Sequence, residues 1–227
     1  MADQDLLFHS GHRARLKEKF QSDKLTDSEK LELLLTYAIP RRDVRPLARA
    51  LAKHFGGEYY VFAAPLNALI SFPGVGANTA ILIKLAHSLN MLSYTKKLQT
   101  EPVYRQNQTL IDFLRAEMSG LDHEELRVYY LNQDGMVFHH ETHSRGTIDA
   151  TNFFPREIAK TALNLNASHI ILVHNHPLSD NTFSSSDINS TKELASIIKP
   201  LGISLYDHFV VTGNGAVHSI KDSIAFR

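Results

Sequence analysis

Two histidines and an aspartate in the C-terminal half of the chain have types and spacings that suit a metal ion. The apolar residues 170–173 predict a buried strand, and His174 and His176 follow it directly. Because alternate side chains of a strand share one face, both imidazoles can point at the same cation. Asp187 lies three residues after Ser184, a good N-cap, and so falls in the first turn of the predicted helix. That helix would hold the carboxylate near the end of the strand.

Each part of this pattern has a simpler explanation when it is taken alone. A His-x-His pair is more often structural than metal-binding, and Ser-x-x-Asp before an apolar run is most often only a capping box. Together they predict a divalent metal site with His174, His176 and Asp187 as ligands and a position left open for water. The chain has no cysteine, which excludes thiolate ligands and disulfides. Zinc, with a single ion per chain, is the expected metal.

The same residues carry a resemblance to a known family. His174-Asn175-His176-Pro177 followed by Ser184-x-x-Asp187 resembles the metal motif of JAMM (MPN) domains, and nearly the whole chain resembles the RadC family. The closer match includes Arg145-Gly146-Thr147, Pro155-Arg156-Glu157-Ile158, Ala167, Gly202, Asp207-His208, His12-Arg13-x-Arg15-Leu16, residues 33–46 and Pro73-Gly74-Val75-Gly76. The resemblance implies a cytidine-deaminase-like α/β fold, zinc-dependent hydrolysis of an amide or isopeptide bond, and a link to DNA repair.

The resemblance also implies roles for single residues. Ser184 would stabilise the oxyanion of a tetrahedral intermediate. JAMM peptidases use a glutamate at the start of an early strand as general acid and base, and Glu125 is the best match, with its neighbour Glu124 as the alternative. From the sequence alone, Glu125 is equally compatible with a solvated position at a strand edge. Residues 176–184 lack a glycine and two prolines that are usual in the family, so we expect this loop to be more mobile and to admit a different substrate.

A further group of histidines lies on a predicted hairpin. His139, His140 and His143 fall on its second strand, after an Asn132-Gln133-Asp134-Gly135 turn. They could reach a metal, but surface positions on a half-exposed strand are the more common outcome.

The N-terminal half holds a candidate contact with nucleic acid. Pro73-Gly74-Val75-Gly76 between two helical patterns fits the turn of a helix-hairpin-helix unit. Glycines let the backbone approach a phosphate, and the amides at the start of the next helix point at the anion. Lys84, and also Arg41, Arg42 and Arg45, could add phosphate contacts. Similar hairpins also serve as purely structural or protein-docking elements.

The periodicity divides the chain into two domains. Residues 1–95 are expected to form an all-helical domain with two helix-hairpin-helix units, the first about Pro40 and the second about Pro73. Residues 96–108 are polar and predict a linker, and residues 109–227 alternate strands with helices, which predicts an α/β domain. No apolar run approaches the length of a membrane span, and the acidic start does not resemble a signal peptide. A cytoplasmic protein that does not enter membranes is therefore expected.

Two functions agree with these features. The first is a JAMM-type zinc hydrolase that acts on an unidentified peptide or protein and is attached to a helical domain that binds DNA or a partner. The second is a non-catalytic DNA- or partner-binding protein of repair or recombination, in which the metal mainly holds the fold. Metal-dependent nuclease activity is a third, weaker hypothesis.

Overall fold

The computed structural model describes residues 2–146, 154–177, 179 and 182–223. Contacts divide the chain into two compact units, Met1–Asn90 and Met91–Arg227. Within the described ranges, no helix is both long enough and apolar enough to cross a lipid bilayer. Thr147 and residues 178, 180 and 181 lie outside the described residues. The family match at Thr147 and the expected mobility of the loop after His176 therefore stay predictions.

The N-terminal unit is helical, as predicted. Its helices are α1 (Ala2–Gln21), α2 (Asp27–Ala38), α3 (Arg45–Phe55), α4 (Glu58–Ala63), α5 (Leu66–Ser71) and the first part of α6 (Ala77–Thr100). Thr26 begins α2 with a capping box, in which Thr26 and Glu29 exchange hydrogen bonds between side chain and amide. α3 ends at Gly56, whose φ of 90° suits glycine. The apolar faces of α2 to α6 share one core, which includes Leu31, Leu35, Leu51, Val61, Leu69, Val75 and Ile83.

The C-terminal unit is built on a five-stranded sheet, which confirms the mixed α/β class. Its strands are β1 (Glu124–Leu131), β2 (Val137–Gly146), β3 (His169–His176), β4 (Ser204–Thr212) and β5 (Val217–Ser219), in the spatial order β2-β1-β3-β4-β5. Only β3 and β4 are parallel to each other. Its remaining helices are α7 (Asn107–Met118), α8 (Pro155–Asn164), α9 (Ser185–Ile198) and α10 (Ile220–Ser223). β3 extends past the apolar run that predicted it, so both histidines belong to the strand.

Helices cover the two faces of this sheet with separate cores. On the α7 face, the core includes Phe113, Leu114, Tyr129, Leu131, Ile171, Val173, Phe209 and Val211. On the α8–α9 face, it includes Leu126, Val128, Tyr130, Ile158, Ile170, Leu172, Leu194 and Ile198. Since side chains alternate along a strand, the even-numbered residues of β1 and β3 face α8 and α9, and the odd-numbered ones face α7. This alternation decides which residues of β1 can reach the two histidines.

The stretch 96–108 differs from the linker we expected. α6 continues to Thr100, and a short 3-10 helix that contains Val103 follows it. Leu98 and Val103 are buried in the core of the α7 face. The Val103 amide also donates to the carbonyl of Gly135 in the β1–β2 turn, at 3.0 Å. Leu98 and Val103 stand among mostly polar residues in the sequence. The composition of the stretch therefore predicted a linker.

Candidate metal centre

The three predicted ligands lie together at the end of β3. His174 Nε2 and His176 Nε2 are 2.9 Å apart, and Asp187 Oδ2 is 3.6 Å from the first and 4.0 Å from the second. In a tetrahedral zinc site with bonds of about 2.0–2.1 Å, ligand atoms are separated by about 3.3 Å. The three distances bracket this value, so the side chains fit a single zinc ion. Among the described residues, no other group of three His, Asp or Glu side chains was found with this proximity.

Local structure explains why Asp187 points toward the strand. Ser184 is the N-cap of α9, and its hydroxyl accepts a hydrogen bond from the Asp187 amide at 3.1 Å. The hydroxyl and the amide of Ser184 both donate to Asp187 Oδ2, each at 2.7 Å. The predicted capping box is therefore present, and it orients Asp187 Oδ2, the carboxylate oxygen nearest the two histidines. Asp187 can therefore serve both as part of a helix cap and as a candidate metal ligand.

The environment of Asp187 favours its charged form. Burial alone would raise the pKa of its carboxyl, but the adjacent His174 imidazole, followed by the hydrogen bonds from Ser184, brings the pKa far below its usual range. An ionised carboxylate is the form that binds a metal. The site therefore offers two imidazoles and one carboxylate, a set typical of catalytic zinc.

A third histidine, His208, contacts the ring nitrogen of His174 that points away from the other two candidate ligands. His208 of β4 is buried, and its Nε2 lies 2.8 Å from His174 Nδ1. Its Nδ1 lies 2.6 Å from the hydroxyl of Thr191 in α9, and that hydroxyl donates to the Asp187 carbonyl at 2.5 Å. Burial and the neighbouring His174 lower the pKa of His208, which favours the neutral form of its imidazole. The sequence motif included His208 but gave no role to it, and it did not single out Thr191 at all.

Glu125 faces away from the ligands. Its side chain is 2% exposed and lies on the α7 face, where Arg127 donates to Oε2 at 2.9 Å. Its other oxygen, Oε1, is 3.0 Å from Arg145 Nε and 3.0 Å from His123 Nε2. Burial raises the pKa of Glu125, but the hydrogen bonds from Arg127 and His123 and the charge of Arg145 outweigh it, and the net pKa is lowered. Glu125 is thus neither the solvated residue nor the neighbour of the metal that the sequence suggested.

Glu124 lies on the same face of the sheet as the two histidines. Leu126 pairs with His174, so the continued register sets Glu124 opposite His176. The side chain of Asn175 holds this end of β1 in place. Its Oδ1 accepts from the Glu125 amide at 2.8 Å, and its Nδ2 donates to the His123 carbonyl at 2.9 Å. The geometry therefore puts Glu124, the alternative left open by the sequence, on the face of the sheet that carries the candidate ligands.

The histidines of β2 do not join the site. His139 and His140 are exposed and their rings lie against those of Tyr130 and Tyr129. His143 Nε2 accepts from the Phe154 amide at 3.3 Å. These contacts agree with a surface strand, as the simpler interpretation predicted.

The turn of residues 73–76 lies between α5 and α6, and two of the groups predicted to contact a phosphate are hydrogen-bonded within the fold. Gly74 has a φ of 89°, and the amide of Val75 donates to the Phe72 carbonyl at 3.1 Å. The Val75 side chain is buried in the core, whereas Gly74 and Gly76 are exposed. Lys84 does not extend toward solvent. Its Nζ donates to the carbonyls of residues 62, 63 and 64, at 3.1, 3.3 and 3.0 Å.

Lys84 is therefore expected to stabilise the fold rather than to bind DNA. Lys84→Met removes the donor that satisfies three carbonyls at the end of α4, so we expect the free energy of unfolding to fall by about 1–3 kcal/mol. Affinity for a short DNA duplex should not change. Thermal unfolding and fluorescence anisotropy measure the two quantities, and Lys53→Met, which removes an exposed charge, is the control. Weaker DNA binding with unchanged stability in Lys84→Met would contradict this assignment.

A comparison with protein families agrees with the geometry. A family model described as RadC-like JAB domain matches residues 104–224, which is more than half of the chain. The matched range contains the whole sheet, the three candidate ligands and Glu124. The chain therefore belongs to the RadC family.

Proposed function

We propose that this chain is a zinc-dependent hydrolase of JAMM type that cleaves an amide or isopeptide bond in a peptide or protein, with a cytidine-deaminase-like fold in its C-terminal unit. The observation that carries the proposal is the triangle of His174, His176 and Asp187, which has the dimensions of a zinc site. When bound, zinc lowers the pKa of a coordinated water to about 7 and polarises a carbonyl group. Family membership supports this class of chemistry but not a particular substrate.

Glu124 is the proposed general acid and base. Its place opposite His176 would let it take the proton of the attacking water as the new C–O bond forms. It would then give this proton to the amine nitrogen as the C–N bond breaks. Asn175 supports this geometry because it fixes the first residues of β1 beside the last residues of β3.

Ser184 is the proposed donor to the carbonyl oxygen that becomes negative. In the structure its hydroxyl hydrogen goes to Asp187 Oδ2. The substrate oxygen must therefore replace Asp187 as the acceptor. The Ser184 amide also donates to Asp187 Oδ2, which keeps the carboxylate oriented during the exchange.

A hydrolysis assay on the zinc-loaded full chain tests the proposal. The substrates are a mixture of internally quenched peptides and a pair of peptides joined by a lysine isopeptide bond. We expect cleavage of at least one substrate, loss of cleavage after chelation, and recovery on addition of zinc. A fully zinc-loaded chain that hydrolyses none of them would contradict the proposal.

The main alternative is a DNA- or partner-binding protein with a structural metal. In that case Glu124→Gln and Ser184→Ala would leave every activity intact, whereas His174→Ala would unfold the C-terminal unit. In a hydrolase, all three substitutions strongly reduce or abolish turnover. Glu124→Gln leaves stability nearly unchanged, and Ser184→Ala costs roughly 0.5–2 kcal/mol because it removes the N-cap of α9. The internal contacts of Lys84 and of the Val75 amide weaken the DNA-binding alternative at the turn of residues 73–76. DNA contact through Gly74 and Gly76 remains part of that alternative.

A further inference from the structure

Four groups form a continuous hydrogen-bond chain behind the candidate metal centre. The chain runs from His174 Nδ1 to His208 Nε2, from His208 Nδ1 to Thr191 Oγ1, and from Thr191 Oγ1 to the Asp187 carbonyl, at 2.8, 2.6 and 2.5 Å. His174 and His208 are 4% and 1% exposed, and Thr191 is fully buried. Water therefore has little access, and each group depends on the next for its hydrogen bond.

The Asp187 carbonyl, at the end of this series of hydrogen bonds, determines which group donates in each of them. A backbone carbonyl can only accept a hydrogen bond, so the single hydroxyl hydrogen of Thr191 goes to Asp187. The oxygen of Thr191 is then an acceptor for His208, which must carry its hydrogen on Nδ1. His208 Nε2 is left with a lone pair, and it accepts from His174 Nδ1. His174 therefore has a bare Nε2, the atom that faces His176 and Asp187.

We propose that His208 and Thr191 are positioning residues that hold His174 in the one tautomer able to bind the metal. The inference rests on the proposed metal site and adds a function for two residues that do not touch the metal. A metal-bound histidine usually donates its second ring hydrogen to a carboxylate, carbonyl or water. Here a buried histidine is the acceptor, and its own orientation is fixed by a helix that also supplies the third candidate ligand. Phe183 covers this arrangement, with its ring centre 5.4 Å from that of His208 and 6.0 Å from that of His174.

Thr191→Val tests the chain without removing any ligand. Valine has nearly the shape of threonine but cannot accept the His208 hydrogen. The His208 hydrogen should then move to Nε2 and face His174 Nδ1, which forces the hydrogen of His174 onto Nε2. We expect zinc affinity to fall roughly 10- to 100-fold, as is usual when the partner of a metal-bound histidine is lost. Thr191→Ser keeps the hydroxyl and should retain the affinity of the wild type.

Zinc affinity is measured on the full chain by competition with a chromophoric chelator, and the tautomer of His174 in the metal-free protein by ¹⁵N NMR. Thr36→Val is the matched control, because Thr36 is also a buried helical threonine whose hydroxyl bonds a backbone carbonyl, that of Leu33 at 2.7 Å. It should leave both measurements unchanged. His208→Leu removes the acceptor directly. If that variant does not fold, Thr191→Val still tests the positioning role.

The outcomes separate the two proposals. A folded Thr191→Val variant with wild-type zinc affinity and an unchanged His174 tautomer would overturn the positioning role and leave the metal site intact. A wild-type chain that binds no zinc would overturn the metal site, and the positioning role with it. Loss of affinity in both Thr191→Val and Thr191→Ser would also count against the inference, because the hydroxyl group would then not be what matters.

Discussion

Glu124→Gln is expected to reduce metal-dependent hydrolysis by a factor of about 10²–10⁴, because it removes the group proposed to carry the proton from water to the leaving amine. Glutamine has the same shape but cannot accept that proton. Zinc content and thermal stability should stay close to those of the wild type, since Glu124 is only half-buried and is not among the three candidate ligands. Initial rates on the substrate found in the peptide assay, together with metal analysis of the same samples, measure the effect.

The result that would contradict this role is a Glu124→Gln variant that keeps the rate of the wild type. If Glu125→Gln instead abolished hydrolysis in a stable, zinc-loaded chain, the general base would be the residue first favoured by the sequence. The two isosteric substitutions at neighbouring positions therefore control for each other. Both remove one carboxylate charge from the same strand, but they do so on opposite faces of the sheet.

Glu125→Gln is expected to lower the free energy of unfolding by roughly 3 kcal/mol, because it breaks a buried ion pair and leaves the other partner buried. Arg127, whose side chain is 14% exposed, would lose the charge of Glu125 and keep the ion pair with Glu117, at 2.8 Å. Chemical denaturation of the full chain at neutral pH measures the loss. Glu157→Gln on the exposed surface of α8 is the control and should have little effect.

The dependence on pH gives this prediction a second test. The pKa of Glu125 is lowered in the folded chain, so its contribution to stability is present above the ordinary glutamate pKa and is lost as the pH falls through the lowered value. The difference in stability between the wild type and Glu125→Gln should therefore shrink with acidification. A difference that is absent at neutral pH, or one that grows as the pH falls, would contradict the structural role.

The grouping of the three candidate ligands was predictable because their geometry is local. Two histidines two residues apart at the end of a strand must share a face, and a Ser-x-x-Asp capping box places the aspartate at the start of a helix. The helical N-terminal region and the α/β class also followed from periodicity alone. None of these features depends on contacts between distant parts of the chain.

The sequence did not show whether Glu124 or Glu125 lies on the same face of the sheet as the two histidines. Both faces of β1 are covered by helices, so residues 128–131 are apolar in both phases and their pattern does not show which residues face the histidines. A shift of one residue exchanges the two faces. Only the observed pairing of Leu126 with His174 resolves the question.

Contacts over long sequence separations explain the other differences. Lys84 suggested a phosphate contact because a lysine near a glycine-rich turn is usually exposed, but its partners are carbonyls about 20 residues earlier in the chain. The hydrogen bond between His174 and His208 spans 34 residues and the one between Thr191 and His208 spans 17. Residue types give no indication of such partners until the fold brings them together.

The metal content of the purified full chain tests the central claim most directly. After zinc loading and removal of excess metal, mass spectrometry of the wild type should give about one zinc ion per chain. The variant with both His174→Ala and His176→Ala should give none, while circular dichroism shows whether it is still folded. A zinc-supplemented wild type that retains no metal, or a double variant that retains as much as the wild type, would contradict the account.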